Sequence, residues 1–180
     1  MSRIREPIKT ALRPARESDL ALIYNSWAYQ IRHSEPFCLM NPEQFREHKV
    51  SIIEPLLERL GATVIYDDDE GAVNDEHVLG WCVIDAANCV IHFIYVKGDW
   101  RHCGYGQKLL DYAFPNWRHE ALKFSHQSRS SLHLAKKWGA LFDPYSVALN
   151  ETNASVKAPF LPEHRSVFWY KLPGEREAAR

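Results

Sequence analysis

The sequence predicts a mixed α and β fold, built as a single domain over residues 1–180. A chain of 180 residues with 46% hydrophobic content suits one substantial core and argues against a disordered polypeptide. Apolar runs typical of strands are interspersed with segments whose apolar residues recur at helical spacing. A glycine-containing loop also joins an apolar strand to a helix in mid-chain, which is typical of proteins that bind phosphate groups.

The N-terminal segment favours a strand followed by a helix. Residues 8–13 carry a weak strand pattern, and Ser18 is placed to cap the next helix, because its hydroxyl can accept from an unpaired backbone amide. The apolar residues at helical spacing are Leu20, Ile23, Tyr24 and Trp27. The pattern ends near residues 33–36, where we expect a loop.

A second helix is predicted from Asn41 onward. Asparagine caps helices well, and Pro42 at the first helical position sacrifices no useful donor. Apolar residues continue at helical spacing to about Leu60, Pro55 predicts a kink, and Gly61 can end the helix.

The remaining elements are mainly strands, joined by polar turns. Residues 67–77 are acidic and contain a glycine, which predicts a turn, and residues 85–88 predict a short hairpin. Strands are expected at 62–66, 78–85, 90–96, 121–125, 141–147 and 167–172, and helices at 106–114 and 130–138.

The loop at residues 97–106 carries the strongest functional signal. Backbone amides at the start of a helix lack partners and carry the positive end of its dipole, so they can hold phosphate oxygens. Gly104 and Gly106 have no β-carbon and let an anion approach the main chain, while Arg101 and Lys108 add positive charge. The spacing matches neither of the two familiar nucleotide-binding loops. It still predicts a phosphorylated cofactor.

Arg-x-x-Gly-x-Gly at residues 101–106, after a strand that ends in Tyr95 and Val96, resembles the acetyl-CoA loop of the GNAT superfamily of N-acetyltransferases. The segment LRPARESDLALI resembles the opening of many members, and the predicted element order is the order of their fold over nearly the full length. The resemblance implies a central, mostly antiparallel sheet of six to seven strands flanked by about four helices.

The resemblance also implies acetyl-CoA as the cofactor. The strand before the loop would pair with the pantetheine arm through Ile94, Tyr95 and Val96. The loop would hold the pyrophosphate with its backbone amides. The loop residues in this cofactor set are Arg101, His102, Cys103, Gly104, Tyr105, Gly106 and Gln107.

Acetyl transfer to an amine needs a proton acceptor and a group that stabilises or protonates the departing thiolate. In many members of the superfamily a tyrosine on a late helix protonates the thiolate, but Ala135 occupies the matching position here. Tyr145 is therefore a candidate acid. His92 and His126 are candidates for proton removal, because histidine titrates near neutrality. A half-buried aromatic and two core histidines are the purely structural alternatives.

The resemblance places the acceptor amine, a small molecule or a peptide, near the first helices. The candidate contacts there are Trp27, Tyr29, Arg32 and Glu35, although Trp27 also fits a helix stripe that faces the core. Monomer and homodimer both remain open. The sequence predicts no metal site, since Cys38, Cys82, Cys89 and Cys103 form no C-x-x-C pair or zinc-type cluster.

Composition limits the other partners. A net charge of −1 and a pI near 6.8 argue against nucleic-acid binding by bulk electrostatics. The N-terminus lacks the apolar core of a signal peptide, and no apolar run approaches the roughly 20 residues that cross a bilayer. We therefore expect a cytoplasmic protein with free thiols. If the chain is encoded by a phage, an origin suggested by the sequence likeness described next, the cytoplasm would be that of the host cell.

Two other hypotheses compete with an N-acetyltransferase. One is a GNAT-like module that binds CoA or a partner without efficient catalysis, suggested by Ala135. The other is a nucleic-acid base modifier resembling the Mom group, suggested by a likeness to GNAT proteins of phage genomes in the I-Y-N-S-W and Y-V-K segments. Near-zero net charge argues against the second.

Overall fold

The computed structural model describes residues 8–33, 37–68 and 78–147, and it confirms the mixed α+β class. Within these ranges a six-stranded, mostly antiparallel sheet is flanked by four α-helices. The strands are β1 (Thr10–Pro14), β2 (Thr63–Asp67), β3 (Val78–Asp85), β4 (Val90–Val96), β5 (Lys123–Phe124) and β6 (Leu141–Phe142). The helices are α1 (Glu17–Arg32), α2 (Pro42–Leu60), α3 (Tyr105–Ala113) and α4 (Arg129–Trp138).

The strands lie in sequence order across the sheet. Strands β1 to β4 pair antiparallel, whereas β5 pairs parallel to β4 and β6 parallel to β5. Up to β6 the order of strands and α-helices along the chain is the predicted one, so the element order expected from the GNAT resemblance is present.

The two faces of the sheet are covered by different helices. On one face α1 and α2 pack over an aromatic cluster in which Trp81 stacks on Phe93 at 5.1 Å between ring centroids and lies 5.6 Å from Trp27. On the other face α3 and α4 pack against a second set of apolar residues, among them Ile91, Leu109, Leu110 and Phe124. Burial on both faces makes the centre of the sheet the core of the domain.

The start of α1 differs from the prediction. The helix begins at Glu17, and the carboxylate of Asp19, rather than the hydroxyl of Ser18, accepts from the backbone N of Arg16 at 2.7 Å. Asp19 is fully buried and also accepts from Nη2 of Arg13 at 3.0 Å. A carboxylate can cap the helix and pair with a cation at once, which a hydroxyl cannot.

The second helix follows its sequence signals closely. The side chain of Asn41 accepts from the backbone N of Gln44 at 2.8 Å, and the helix begins at Pro42 as expected. It ends at Leu60, and the capping residue Gly61 has a φ of +68°, which favours glycine. The helix continues without a break through Pro55.

Two strands are shorter than predicted. The segment expected to be a strand at 121–125 is paired only at Lys123–Phe124. The segment expected at 141–147 forms β6 over two residues and then turns into a 3₁₀ helix at Pro144–Val147, because proline fixes φ and removes a ladder donor. The predicted strand at 167–172 lies outside the described residues. No helix in the described ranges is both long and apolar enough to span a bilayer.

Candidate functional site

Strand β4 is paired on one edge at every residue except His92 and is mostly unpaired on the other edge. Its ladder with β3 extends from Val90 to Val96, whereas its ladder with β5 joins only Val90 to Lys123 and Ile91 to Phe124. Beyond those two pairs the strands diverge. The C-terminal half of β4 therefore presents a free backbone edge.

The register of β4 determines which backbone groups face that free edge. Hydrogen-bonded pairs alternate along an antiparallel ladder, and the N of Lys97 donates to the O of Leu79 at 2.8 Å. Counting back in steps of two, Tyr95 and Phe93 direct their backbone groups to β3. Ile94 and Val96 therefore direct theirs to the open side, where Nε of Arg101 reaches the O of Val96 at 3.2 Å.

The start of α3 lies beside this edge and is open to an anion. Gly104 occupies the capping position in the left-handed region, with φ of +81°, and carries no side chain that could cap the helix. The first helical turn contains no acidic residue. The amides of Tyr105 and Gly106 have no acceptor within the helix, so the positive end of the helix dipole is exposed to the cleft.

The free edge of β4, the glycine loop and α4 enclose a cleft of about 570 Å³. Every predicted cofactor residue except Cys103 lines it, and the described lining residues include no Asp or Glu. Arg101, His102, His133 and Lys137 supply positive or titratable groups. The cleft thus combines an apolar strand wall with an electropositive rim, which suits an elongated anionic ligand.

Gly106 is not required by the packing of the protein itself. A β-carbon at this position would meet Ile94 Cδ1 at 3.9 Å and Val96 Cγ2 at 4.0 Å, which are ordinary contacts. Glycine also costs helix stability relative to alanine. The absence of a side chain therefore fits a ligand that approaches this backbone closely.

Several lining residues were not identified from the sequence. Gln30 projects from α1, and α4 contributes Ser128, at its N-cap, together with His133, Leu134, Lys137 and Trp138. His133 and Lys137 are separated by one helical turn and so share a helix face, which was the available sequence signal. Without the position of α4 against the splayed strands, that spacing is indistinguishable from a solvent-exposed stripe.

His92 and His126 are brought together by a residue that the sequence analysis did not single out. Nδ1 of His92 lies 3.0 Å from Oγ of Ser125, and Nδ1 of His126 lies 2.8 Å from the same oxygen. His92 is the extra residue of a β-bulge, because Val83 pairs with Phe93 and Ile84 with Ile91. Bulges redirect side chains, and this one brings His92 to Ser125.

His92 is buried deeply, with 1% of its surface exposed, and Nε2 has no hydrogen-bond partner among the described protein atoms. Burial, reinforced by repulsion from His126, lowers the pKa of His92 to about 3. A small cavity of about 10 Å³ lies between His92 and His126, and its walls share Phe93, Ile94 and Ser128 with the large cleft. The histidine pair therefore lies directly behind the cleft wall.

The other predicted site residues lie apart from the cleft lining. Tyr145 is 84% exposed, beyond β6. Trp27 is fully buried, as its helix stripe indicated, with its ring 6.2 Å from that of His126. Arg32 donates to the carbonyls of Phe37 and Met40.

Two further acceptor-side candidates have separate outcomes. Tyr29 is half exposed and packs on His33 at 4.2 Å between ring centroids. Glu35 lies outside the described residues. Of this acceptor set, Trp27 alone has a described contact with the histidine pair.

No family model and no curated protein matches the chain. Similar solved structures include apo YjaB from Escherichia coli, 16% identical over 72% of this chain and 81% of that one, with a TM-score of 0.48. A candidate acetyltransferase from Pyrococcus furiosus is 16% identical over 87% of this chain and 99% of its own, with a TM-score of 0.38. The yncA structure from Salmonella typhimurium, a candidate acetyltransferase with acetyl-CoA, is 17% identical over 62% and 64%, with a TM-score of 0.34. These distant likenesses assign no residue a role.

Proposed function

We propose that this protein is an acetyl-CoA-dependent N-acetyltransferase that transfers the acetyl group to a primary amine by direct attack on the thioester. One observation carries the proposal. The unpaired edge of β4 and the open N-terminus of α3 line the same cleft. The first suits an amide-containing arm and the second suits a phosphate group, and CoA contains both in one molecule.

The chemistry of the cleft lining supports CoA as the ligand. The amides of Tyr105 and Gly106 would hold the pyrophosphate, and the bare backbone of Gly106 would let it approach. The backbone groups of Ile94 and Val96 would pair with the pantetheine amides, as one strand pairs with another. A lining that contains cations and no described carboxylate favours a ligand with several negative charges.

The thioester supplies an activated acetyl group when the cofactor is bound. In the transfer, the amine nitrogen forms a bond to the carbonyl carbon, the carbon–sulfur bond breaks, and the amine gives up one proton. The histidine pair behind the cleft wall is the candidate acceptor of that proton.

Protonation of the thiolate does not require a tyrosine in this cleft. The thiolate of a thiol with an ordinary pKa of about 8.5 is a modest base, so it can leave as the thiolate and then take a proton from solvent. This accounts for transfer despite Ala135 at the usual tyrosine position and despite the exposed surface position of Tyr145.

The acceptor is proposed to be a small-molecule or peptide amine that enters beside α1, where Gln30 lines the cleft. Nucleic acid is not favoured as a substrate, given the net charge of −1.

Thermal unfolding with acetyl-CoA, desulfo-CoA and ATP tests the cofactor assignment. A ligand at about 100 times its Kd adds roughly 2.7 kcal/mol to the free energy of unfolding, which raises Tm by about 5 to 10 °C at this chain length. We expect this rise with both CoA compounds and a much smaller one with ATP. No rise with either CoA compound would contradict the proposal.

A CoA-binding module without efficient catalysis is the second candidate, favoured by the absence of a tyrosine at position 135. It predicts the same thermal shift. Release of free CoA thiol in the presence of amine panels separates the two, because only the enzyme turns the thioester over.

A further inference from the structure

We propose that His133 and Lys137 on α4 bind the 3′-phosphate of CoA, so that the protein distinguishes CoA from 3′-dephospho-CoA. The inference rests on the proposed cofactor and goes beyond it, because it assigns a phosphate that the start of α3 does not hold. The open N-terminus of α3 would bind the pyrophosphate. The 3′-phosphate on the ribose is the remaining anionic group of CoA, and it needs a partner of its own.

Helix α4 lies on the same face of the sheet as α3. Leu110 of α3 packs in one apolar cluster with Leu134 and Trp138 of α4. The Trp138 ring also stacks on Phe124 of β5, at 6.5 Å between ring centroids. This packing fixes α4 beside the sheet, and residues of both helices line the cleft. A ligand held at the start of α3 therefore has α4 as a second wall.

His133 and Lys137 lie one helical turn apart on α4. At this spacing two Cβ atoms are about 5 to 6 Å apart, so one phosphate group can contact both side chains. Both side chains are exposed and line the cleft. Leu134 and Trp138 repeat at the same spacing, one position later. The apolar row thus attaches the helix to the core, while the adjacent basic row borders the cleft.

The two basic side chains suit a phosphate monoester. Such a group carries nearly two negative charges at neutral pH and has three strong acceptor oxygens. Lys137 offers an ammonium group with three donors, and His133 offers a ring N–H, with a positive charge when both nitrogens are protonated. Two positive charges at this helical spacing repel each other weakly. A phosphate bound between them would replace that repulsion with two attractive contacts.

The basic row is separated from the side where the acceptor amine is proposed to enter. Phe93 packs in the aromatic cluster beneath α1 and α2, whereas Ile94 packs with residues of α3 and α4. The cleft lining includes both residues and extends to Gln30 of α1. The cleft therefore passes the open edge of β4 from one face of the sheet to the other. Charges on α4 can then serve the cofactor without facing the amine.

A role in helix stability is the structural alternative for Lys137. Lys136 and Lys137 both lie in the last turn of α4, where cations interact favourably with the negative end of the helix dipole. Lys137 lines the cleft and Lys136 does not. Lys136→Ala is therefore the matched control, because it removes a charge from the same turn of the helix without changing the cleft lining.

Calorimetric titration of the full chain with CoA and with 3′-dephospho-CoA tests the assignment without turnover. Two exposed charge contacts should make CoA bind about tenfold more tightly, and Lys137→Ala or His133→Gln should each weaken CoA binding about two- to fivefold. Neither variant should change the affinity for 3′-dephospho-CoA, and Lys136→Ala should keep the full preference. Equal binding of the two compounds to the unmodified protein, or equal weakening of both in Lys137→Ala, would overturn the proposal.

Phosphorus NMR of bound CoA gives a second readout. A phosphate monoester takes up its second proton at about pH 6, and neighbouring cations favour the dianion. We expect the 3′-phosphate to titrate at lower pH in the complex than in free CoA, and Lys137→Ala to reverse part of that shift. Titration at the same pH in bound and free CoA would contradict the assignment. Failure of both compounds to bind the unmodified protein would instead refute the proposed cofactor, whereas loss of the preference alone concerns only α4.

Discussion

The two edges of strand β4 differ in how much of their backbone is paired with a neighbouring strand. Toward β3 the strand is paired at every residue except His92, and the stacked rings of Trp81 and Phe93 lie beside it. Toward β5 it pairs through two residues and then diverges, leaving backbone groups and a cleft of about 570 Å³. One strand thus contributes stability through one edge and binding capacity through the other.

A glycine lies near each edge of β4, and the space around the two glycines differs. Gly80 on β3 is held by close packing, because a β-carbon there would lie 2.5 Å from the O of Tyr95. Gly106 on the open side faces no comparable contact. The fold therefore requires glycine at the first position, whereas at the second position we propose that the glycine serves a ligand.

The largest effect is expected from Gly80→Ala on the paired edge. The new methyl would meet a backbone oxygen that cannot move independently of β4, so we expect a loss of about 1 to 3 kcal/mol in the free energy of unfolding. Gly98→Ala is the matched control, because nothing lies within 4 Å of its β-carbon position. Its effect should stay within about 0.5 kcal/mol in urea unfolding. Equal effects would refute the close approach.

His92, the bulge residue of β4, should make the free energy of unfolding depend on pH. Its pKa is about 3 when folded and near 6.5 when unfolded. Below pH 6.5 the unfolded chain binds the extra proton, so this stabilisation is complete above pH 6.5 and declines as pH falls toward 3. Between pH 6.5 and 4.5 the loss is about 2 kcal/mol.

Denaturant unfolding at several pH values should show this dependence in the unmodified protein and a flatter one in His92→Gln. Identical slopes in the two proteins would show that His92 is not held neutral. Groups that do not act on His92 titrate alike in both proteins and cancel, so the comparison isolates His92 and the charged groups that act on it, among them His126.

On the open edge, Gly106→Ala should change stability and binding in opposite directions. Alanine is the better helix former, by about 0.5 to 1 kcal/mol, and its methyl fits the free protein. The same methyl would crowd the proposed pyrophosphate and weaken acetyl-CoA binding. Calorimetric titration and thermal unfolding measure the two effects.

Gly104→Ala is the contrasting control for Gly106→Ala. The φ of +81° at Gly104 strains any other residue, so this change should destabilise the protein by about 1 to 2 kcal/mol. A Gly106→Ala variant with undiminished CoA affinity would show that this glycine is not reserved for a ligand.

The smallest effect is expected at the rim of the cleft. Lys137 lines it and the adjacent Lys136 does not. Lys137→Ala should weaken acetyl-CoA binding about two- to fivefold, as expected for an exposed charge pair, and the effect should shrink as salt is added. Lys136→Ala should leave the affinity unchanged. Equal losses would indicate general attraction by net charge.

The local signals in the sequence predicted those elements whose causes are local. Asn41 followed by Pro42 determines a helix start from its own side-chain and backbone chemistry, and the glycine loop does the same for α3. The cap of α1 was assigned to Ser18 because the buried pairing of Asp19 with Arg13 depends on tertiary packing. The strand expected at 141–147 pairs only at Leu141–Phe142, because Pro144 lacks a ladder donor and begins a 3₁₀ helix.

The candidate site was predictable in part for the same reason. The loop and strand residues are contiguous in sequence, and nine of the ten predicted cofactor residues line the cleft. The contact of Ser125 with His92 and His126 depends on the bulge at His92, which no local sequence pattern predicts. The residues of α4 required knowledge of how that helix lies against the splayed strands.

Residue-resolved amide hydrogen exchange with and without acetyl-CoA tests the central claim most directly. If the open edge of β4 binds the cofactor, the amides of Ile94 and Val96 should become strongly protected. Those of Phe93 and Tyr95, already paired with β3, should change little. Protection absent from Ile94 and Val96, or spread equally over all four amides, would contradict the account.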